Sequence, residues 1–350
     1  MTLTDSVLRG DRLALARLLT QVENQTPDGR LALDVLFPHS GKAHLIGVTG
    51  APGTGKSTLV NRLALFFRGQ NRRVAVVAVD PSSPFTGGAV LGDRVRMRDL
   101  TGDPGVFIRS MASRGSLGGL ARATAGVVQV FDAAGYETIL IETVGAGQGE
   151  VDIARLAHTT LVVEAPGLGD DIQAIKAGIL EIADILVINK ADRPGVENTE
   201  KALRSMLELS HPGRRVYRHH GRLVESLSPE GIPDEGGEEN AWIPPIQKTV
   251  STDGQGIPEL AGQIHKHAEH LRATGGWAAR EKARLAAELE MILQQALVDE
   301  FHARQPEKRY NQILQQVFQR RLSPWEAVVL LTDRNGQKDG VHLTDPGRTE

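Results

Sequence analysis

The sequence predicts an α/β fold in which a mostly parallel β-sheet is covered by helices on both faces. From Lys42 to about Arg272, short apolar runs alternate with segments of helical periodicity. The runs are continuously apolar, which is typical of parallel strands that are buried on both faces and joined by helices. A glycine-rich loop separates the first strand from the helix that follows it. Seven strands are expected, at residues 45–49, 74–79, 106–108, 138–141, 161–163, 185–188 and 246–250.

Composition limits the class of protein. The chain has 350 residues, of which 40% are hydrophobic and 24% charged, as is ordinary for a globular protein. A net charge of −3 gives no reason to expect a nucleic-acid partner. The absence of cysteine excludes disulfides and thiolate metal sites and fits a reducing compartment. No secretory signal or membrane span is apparent, so we expect a cytoplasmic protein with no membrane partner.

Residues 1–40 are predicted to be a helical extension. Asp11 can cap a helix whose apolar residues share one face, namely Leu15, Leu18, Leu19 and Val22. Residues 26–29 are expected to form a turn before a shorter helix over 31–37. The extension is too small to fold alone, so it should pack on the domain that follows.

The stretch Gly50-Ala-Pro-Gly-Thr-Gly-Lys-Ser57 has the form G-x-x-x-x-G-K-[ST] between a strand and a predicted helix over 58–67. Its backbone N–H groups can surround a phosphate at a helix N-terminus. Lys56 would reach the β- and γ-phosphates and Ser57 would bind Mg²⁺. The residues expected to contact the nucleotide here are Gly50, Pro52, Gly53, Thr54, Gly55, Lys56, Ser57 and Thr58.

Acidic residues follow two further strands. Asp80 ends the second strand, and Asp93 lies in the Gly/Pro-rich loop after it. Glu142 ends the fourth strand. Carboxylates at these positions are suitable Mg²⁺ ligands, directly or through water, although either aspartate could instead cap a turn.

Three loops have the composition of nucleotide-sensing segments. Gly145, three residues after Glu142, can contact the γ-phosphate through its amide, so the next loop would change when that phosphate leaves. In that loop Gln148 either orients water or is an ordinary amide. Lys176, after the fifth strand, either stabilises phosphate charge or is a solvated helix residue. Arg114 is a weaker candidate for a phosphate contact.

The sixth strand ends in Asn189-Lys190-Ala-Asp192, the N-K-x-D pattern that reads guanine. A carboxylate at Asp192 accepts hydrogen bonds from guanine N1–H and the 2-amino group, which adenine lacks. The loop near Ser251, after the last strand, can present a backbone amide to the guanine carbonyl.

Beyond residue 272 the chain changes character. A long helix over 277–304 carries an apolar stripe, formed by Leu285, Leu289, Leu293, Leu297 and Phe301. A second helix over 308–321 should turn four apolar residues inward, namely Ile313, Leu314, Val317 and Phe318. Ser323 begins a capping box with Pro at N1. This helical arm, residues 273–331, either forms a homodimer, which we favour, or folds back on its own core.

The remaining assignments concern boundaries and histidines. We expect a nucleotide domain over 41–272 and a polar, mobile tail over 332–350. Residues 214–240 are predicted to be a surface excursion. Six histidines lie in, beside or after it and are assigned to solvated surface in preference to a metal site, namely His211, His219, His220, His265, His267 and His270.

With these motifs assembled, the chain resembles the methylmalonyl-CoA mutase-associated GTPases of the MeaB type over nearly its whole length. The resemblance is carried by GVTGAPGTGKSTL, VDPSSPFTGG, LGDRVRM, IETVGAGQGEVD, PGLGDDIQAIKAGILEIAD and NKAD. It implies a P-loop GTPase of the group that also contains the metal-insertion maturation GTPases. It further implies a homodimer through C-terminal helices, acting as chaperone for a coenzyme B12-dependent acyl-CoA mutase. Such chaperones gate adenosylcobalamin delivery and protect the mutase from inactivation.

The resemblance also implies roles for particular residues. Lys56 and Ser57 correspond to the P-loop lysine and Mg²⁺ ligand, and Asp80, Asp93 and Glu142 to the acidic Mg²⁺ and switch residues. Residues 80–97, 142–155 and 164–178 correspond to switches I, II and III, with Lys176 as the lysine associated with partner-stimulated hydrolysis. Asn189, Lys190 and Asp192 correspond to the base-specificity motif. Ala89 and Gly149 depart from the serines expected there, which puts the tuning of hydrolysis in doubt.

The sequence therefore predicts a Mg²⁺-dependent GTPase that converts GTP to GDP and phosphate, with methylmalonyl-CoA mutase as the favoured client. No arginine is an evident catalytic finger, so hydrolysis should be slow until a partner accelerates it. Three alternatives stay open: a transport-linked ATPase or kinase, a metallochaperone-type maturation GTPase, and a GTP-bound scaffold without catalysis.

Overall fold

The computed structural model describes residues 2–81, 97–100, 102–113, 119–143, 149–167, 182–210, 217–219, 222–224, 242–304 and 307–332. Contacts within the chain group it into two compact units, Met1–Glu288 and Leu289–Glu350. The division into four parts, at residues 40, 272 and 331, remains a prediction. None of the described helices is both long and apolar enough to cross a membrane.

The strands confirm the predicted α/β class. Their bounds are β1 His44–Thr49, β2 Val74–Pro81, β3 Val106–Ser113, β4 Thr138–Thr143, β5 Thr159–Glu164, β6 Ile185–Asn189, β7 Tyr217–His219, β8 Arg222–Val224 and β9 Ile246–Thr249. A seven-stranded sheet has the order β3-β2-β4-β1-β5-β6-β9, and each neighbouring pair in it is parallel. The short strands β7 and β8 form an antiparallel pair.

The described helices alternate with these strands as predicted and continue beyond the last one. Their bounds are α1 Leu3–Leu8, α2 Arg12–Glu23, α3 Pro27–Leu36, α4 Lys56–Gly69, α5 Gly119–Ala133, α6 Gly149–Leu156, α7 Val196–Ser210, α8 Ile257–Ala273, α9 Gly276–Arg304, α10 Glu307–Phe318 and α11 Pro324–Thr332. Two single 3-10 turns occur at Phe37–His39 and Arg98–Leu100.

The N-terminal extension is helical, but one of its boundaries differs from the prediction. Asp11 caps α2 as expected, accepting hydrogen bonds from the amides of Leu13 and Ala14. Residues 26–29 are not a turn before a helix. They are the first turn of α3, because Thr26 caps the amide of Gly29 and Pro27 occupies the first helical position.

The two faces of the sheet carry separate cores. One face packs under α1, α2, α3, α5 and α6, so the N-terminal extension covers the same side as the crossover helices. The opposite face packs under α4 and α8, and a smaller cluster beneath α7 surrounds β6. Every residue of β1, β4, β5 and β6 is buried, as continuous apolar runs require.

The entry to β1 is fixed by one buried carboxylate on α5. Asp132 is 8% exposed and accepts hydrogen bonds from three successive amides, those of Gly41, Lys42 and Ala43, the shortest at 2.6 Å. These amides precede the strand that leads to the phosphate-binding loop. Asp132 of α5 therefore fixes the backbone of the three residues that lead into β1.

We expect Asp132→Ala to lower the free energy of unfolding by about 2–3 kcal/mol, because it leaves one buried and two partly buried amides without their charged acceptor. Urea denaturation measures this. Asp34→Ala, at an exposed site on α3, is the matched control and should change stability by no more than about 0.5 kcal/mol. Equal effects of the two substitutions would contradict this account of Asp132.

A buried polar network lies where β1, β5 and β6 begin. His44 Nε2 is 2.8 Å from Thr159 Oγ1, which is 2.9 Å from His267 Nδ1. His267 Nε2 is 3.3 Å from Asp184 Oδ1. Arg280 of α9 donates to both carboxylate oxygens of Asp184 at 2.7 Å. Burial raises the pKa of Asp184, but the hydrogen bonds from Arg280 and His267 outweigh burial and hold this pKa at about 2.

His158 joins the same region to α9 in its neutral form. Its Nδ1 accepts the amide hydrogen of Leu45 at 3.1 Å, so Nε2 carries the proton toward Glu281 Oε1 at 2.6 Å. The ring stacks on Trp277 with centroids 3.9 Å apart. Burial lowers the pKa of His158, and the hydrogen bond to Glu281 only partly opposes this. Burial, followed by the neighbouring His158 and Arg272, holds the pKa of His44 well below its usual value.

Stability should therefore fall as the pH drops below about 6.5. The unfolded chain takes up protons on His44 and His158 there, whereas the folded chain does not, so their contribution is fully present above that pH. Each histidine accounts for up to about 1.4 kcal/mol per pH unit. Urea unfolding at pH 7.5 and 5.5 measures the slope. His158→Asn should flatten it, and the exposed His265→Asn should not; an unchanged slope in His158→Asn would contradict the assignment.

The second unit contains an apolar surface. Its large apolar side chains are 40–81% exposed, namely Leu289, Ile292, Leu293, Leu297, Val298, Leu314, Phe318, Trp325, Val328, Val329 and Leu330. The prediction that Leu314 and Phe318 face inward is wrong for the single chain, because α10 lies in a unit too small to cover both of its sides. The capping box at Ser323 is confirmed by reciprocal hydrogen bonds with Glu326.

Candidate nucleotide-binding site

The predicted phosphate-binding loop joins β1 to α4 in the middle of the sheet, where β1 lies between β4 and β5. Gly50 has φ +135°, and a Cβ there would lie 2.1 Å from the carbonyl oxygen of Val163. Gly55 has φ +93°, and a Cβ there would lie 2.5 Å from Asn189 Nδ2. Both glycines are required, because the loop turns in a conformation that side chains disfavour while it touches β5 and the end of β6.

Lys56 lies over this loop. Its ammonium donates hydrogen bonds to the carbonyls of Gly50 at 2.8 Å and Ala51 at 2.9 Å, and the residue is 5% exposed. Thr54 Oγ1 also donates to Ala51 O, at 2.9 Å. The positive charge is therefore held against the concave side of a loop suited to a phosphate chain.

Two predicted metal ligands meet beneath the loop. Ser57 Oγ donates to Glu142 Oε1 at 2.5 Å, and both residues are buried. Parallel pairing of β1 with β4 brings them together, because Val48 is in register with Glu142. A hydroxyl and a carboxylate are hard oxygen donors of the kind that Mg²⁺ prefers, so this pair fits the ion.

The other predicted residues of the metal and switch regions are largely outside the described part. The backbone of Asp80 continues β2 beside β3, but its side chain is not described. Asp93, Arg114, Gly145, Gln148 and Lys176 lie outside the described residues.

Asn189 is a brace between the phosphate and base loops. Its Nδ2 donates to Thr54 O at 2.8 Å. Its Oδ1 accepts hydrogen bonds from Ser251 Oγ at 2.7 Å, from the Ser251 amide at 3.2 Å and from Thr249 Oγ1 at 3.2 Å. One buried amide thus links three loops. The Ser251 amide predicted to face guanine donates to Asn189 here, and its contact with the base remains a prediction.

The rest of the N-K-x-D motif surrounds the brace. Lys190 has φ +56°, and its ammonium lies 2.5 Å from Gly53 O, so its side chain crosses the phosphate loop. Asp192 is exposed, and within the described residues its carboxylate has no hydrogen bond or ion pair. That carboxylate is available to two donors of a base.

Arg62 was not predicted and supports the base loop from below. This residue of α4 donates from Nε to Ser251 O at 2.9 Å and also bonds Thr252 O. The only sequence signal was a basic residue within an apolar helix. The site therefore has a rigid frame, in which α4, the phosphate loop and the loops after β6 and β9 are joined by side-chain hydrogen bonds.

The histidines show one departure from the prediction. His265 is exposed and pairs with Glu269, as solvated surface implies. His267 is 1% exposed and belongs to the polar network at the start of the sheet, so its assignment to solvated surface was wrong. It faces inward because it shares the buried face of α8 with Ile264 and Leu271. Among the described residues, no group of three His, Cys, Asp or Glu could hold a metal ion.

Comparison with known proteins agrees with this geometry. The family described as Methylmalonyl Co-A mutase-associated GTPase MeaB matches residues 15–306. A relative from Pyrococcus horikoshii that is named as a GTPase is 42% identical, over 95% of this chain and 97% of its own. The GTPase ArgK of Escherichia coli is 36% identical, over 78% of each chain.

A solved structure of similar fold is titled LAO/AO transport system kinase. It superposes with a TM-score of 0.65 and 25% identity, covering 94% of this chain and 95% of that one. The fold is thus that of the P-loop nucleotide triphosphatases, and the relatives named above are GTPases. The chain is therefore a GTPase and belongs to the family of methylmalonyl-CoA mutase-associated GTPases.

Proposed function

We propose that this GTPase is a Mg²⁺-dependent chaperone of a coenzyme B12-dependent acyl-CoA mutase, with methylmalonyl-CoA mutase as its client. The observation that supports guanine-nucleotide binding is the Asn189 brace, which joins the predicted phosphate loop to the loop predicted to contact the base. The family match over residues 15–306 supports the client. The GTP-bound state admits adenosylcobalamin to the mutase and protects it from inactivation.

Hydrolysis on this frame is positioning and charge neutralisation. Lys56 balances charge that spreads over the β- and γ-phosphate oxygens. Ser57 and Glu142 would hold Mg²⁺, together with Asp80 and Asp93, directly or through its waters. The ion, when bound, neutralises the same oxygens. No covalent intermediate is needed.

The switch loops follow strands on this edge of the sheet. Gly145 contacts the γ-phosphate through its amide, so loss of that phosphate changes the segment between β4 and α6. Lys176, in the segment between β5 and β6, completes charge stabilisation when the mutase is bound. Turnover is slow without the partner, because no arginine of the sequence is an evident catalytic finger.

The arm mediates a homodimer. The apolar side chains of the second unit form an exposed surface of a kind that single soluble chains rarely keep uncovered. Sedimentation equilibrium tests this with Leu293→Glu, which should yield monomers, and Leu13→Glu, which places the same charge at an exposed site on α2. Dimers that persist in Leu293→Glu would count against the arm as the interface.

The client is tested by size-exclusion chromatography with purified methylmalonyl-CoA mutase. The two proteins should coelute with a non-hydrolysable GTP analogue and Mg²⁺, and their coelution should weaken with GDP. Coelution to the same extent with GDP and with the GTP analogue would contradict a nucleotide-dependent chaperone cycle. A transport-linked ATPase would be indicated instead by equal affinity for ATP and GTP, and a metallochaperone by stoichiometric Ni²⁺ or Zn²⁺ binding.

A further inference from the structure

A second cavity lies at the opposite end of β1 from the phosphate loop. Its volume is about 320 Å³, and it is lined by residues at the end of α4 and on α8. The six residues of β1, about 20 Å of extended chain, separate it from the nucleotide site. This volume is at the lower limit of cavities that hold small organic molecules. None of its lining residues takes part in the nucleotide site.

One fixed positive charge, that of Arg72, lines the cavity. Arg72 stacks its guanidinium 5.6 Å from the ring centre of Phe67, and within the described residues it has no carboxylate partner. His265 lies at the rim, where Glu269 pairs with it on the exposed side. Neither Asp nor Glu lines the cavity among the described residues. An anion would therefore meet a fixed positive charge.

Apart from Gln70, the remaining wall is apolar, and it has a gap. Phe66 and Phe67 meet edge to face with centroids 6.0 Å apart. Gly262 faces open space, because a Cβ built there meets no atom within 4 Å. Its φ is not positive, so the gap does not come from a backbone requirement for glycine. A flat apolar group beside the phenylalanines would place an attached anionic group near Arg72.

His44 links the cavity to the buried network. It lines the cavity, is 8% exposed and bonds Thr159 through Nε2. The groups facing it are all basic or neutral, namely Arg72 after α4, His158 before β5, and His267 and Arg272 on α8. The acids Asp184 and Glu281 lie one step further away, behind His267 and His158. An anion in the cavity would be the first negative charge to face His44, and it would favour protonation of the ring.

We propose that this cavity binds a small organic anion, a carboxylate or phosphate group on a flat apolar body, and that binding is accompanied by proton uptake. The site is independent of the nucleotide, and its failure would leave the GTPase proposal unaffected. Because the uptake involves His44, affinity rises as the pH falls.

Sodium benzoate, inorganic phosphate and uncharged benzamide serve as probes, in titration calorimetry of the full chain saturated with Mg²⁺·GDP. Benzoate should bind with a Kd on the order of 1 mM at pH 6.0 and at least about fivefold more weakly at pH 8.0. Benzamide should bind at least about tenfold more weakly than benzoate. Phosphate that binds as tightly as benzoate would identify a phosphate-bearing ligand, and weaker phosphate binding a carboxylate.

Three variants locate the site. Gly262→Leu fills the gap and should abolish benzoate binding while GDP affinity stays within about twofold. Arg72→Gln removes the charge without filling space and should weaken binding about tenfold. Arg204→Gln, at an exposed position on α7, is the control and should bind benzoate with the parental affinity. The proposal is overturned if neither benzoate nor phosphate binds at about 20 mM, roughly 20-fold above the expected Kd. It is also overturned if benzamide binds with the same affinity as benzoate, or if Arg72→Gln leaves the affinity for benzoate unchanged.

Discussion

Replacing Lys56 by alanine is expected to slow GTP hydrolysis by at least about 1000-fold. The ammonium is held against the phosphate loop by the carbonyls of Gly50 and Ala51, where it faces developing charge on the transferred phosphate. Among the described lysines only Lys56 is buried, and Lys190, which also reaches this loop, bonds the carbonyl of Gly53 instead. Single-turnover hydrolysis with Mg²⁺·GTP at saturating enzyme separates this effect from weaker binding.

Lys201→Ala on the exposed face of α7 is the matched control and should hydrolyse GTP at the parental rate. Far-UV circular dichroism should show both variants folded. A Lys56→Ala protein that is folded and retains more than about a tenth of parental single-turnover hydrolysis would place the catalytic charge elsewhere.

Asp192→Asn is expected to weaken GTP binding by at least about 100-fold and to improve binding of xanthosine triphosphate. In the proposed site the carboxylate would accept two hydrogen bonds from guanine, whereas an amide would direct its NH₂ group at the guanine 2-amino group. Xanthine has an oxygen there, which accepts from the amide. Asp192 is exposed and supports no other described residue, so the fold should be unchanged.

Fluorescent GDP displacement by each triphosphate measures these affinities. The neighbouring exposed Asp253→Asn should leave the preference for GTP intact. If Asp192→Asn weakened GTP and ATP by the same factor, the residue would act on the phosphates or the fold instead of the base.

The frame of the protein was predictable because its signals are local. Continuous apolar runs gave the seven strands of the main sheet, and the glycine-rich motif placed the phosphate loop between β1 and α4. The start of α3 was predicted wrongly because Thr26-Pro27 is compatible with both a turn and a helix cap, and only the capped amide of Gly29 distinguishes them. The spacing of Leu314 and Phe318 predicts a shared helix face, but it does not indicate which part of the protein or which partner covers that face.

The connections within the site were not predictable, since they join distant parts of the chain. Asn189 was assigned to base recognition by its motif, yet its side chain bonds Thr54 and Ser251, 135 and 62 residues away. Arg62 supports the base loop across a separation of 189 residues. Periodicity carries no information about such contacts. Through these bonds the side-chain amide of Asn189 joins the phosphate loop to the loop predicted to contact the base.

The most direct test of the proposed role is the rate of GTP turnover with and without saturating methylmalonyl-CoA mutase. The account predicts slow turnover by the chain alone and an increase of at least about tenfold when the mutase is added, with Mg²⁺ required throughout. Fast turnover in isolation, or a rate that the mutase leaves unchanged, would contradict it.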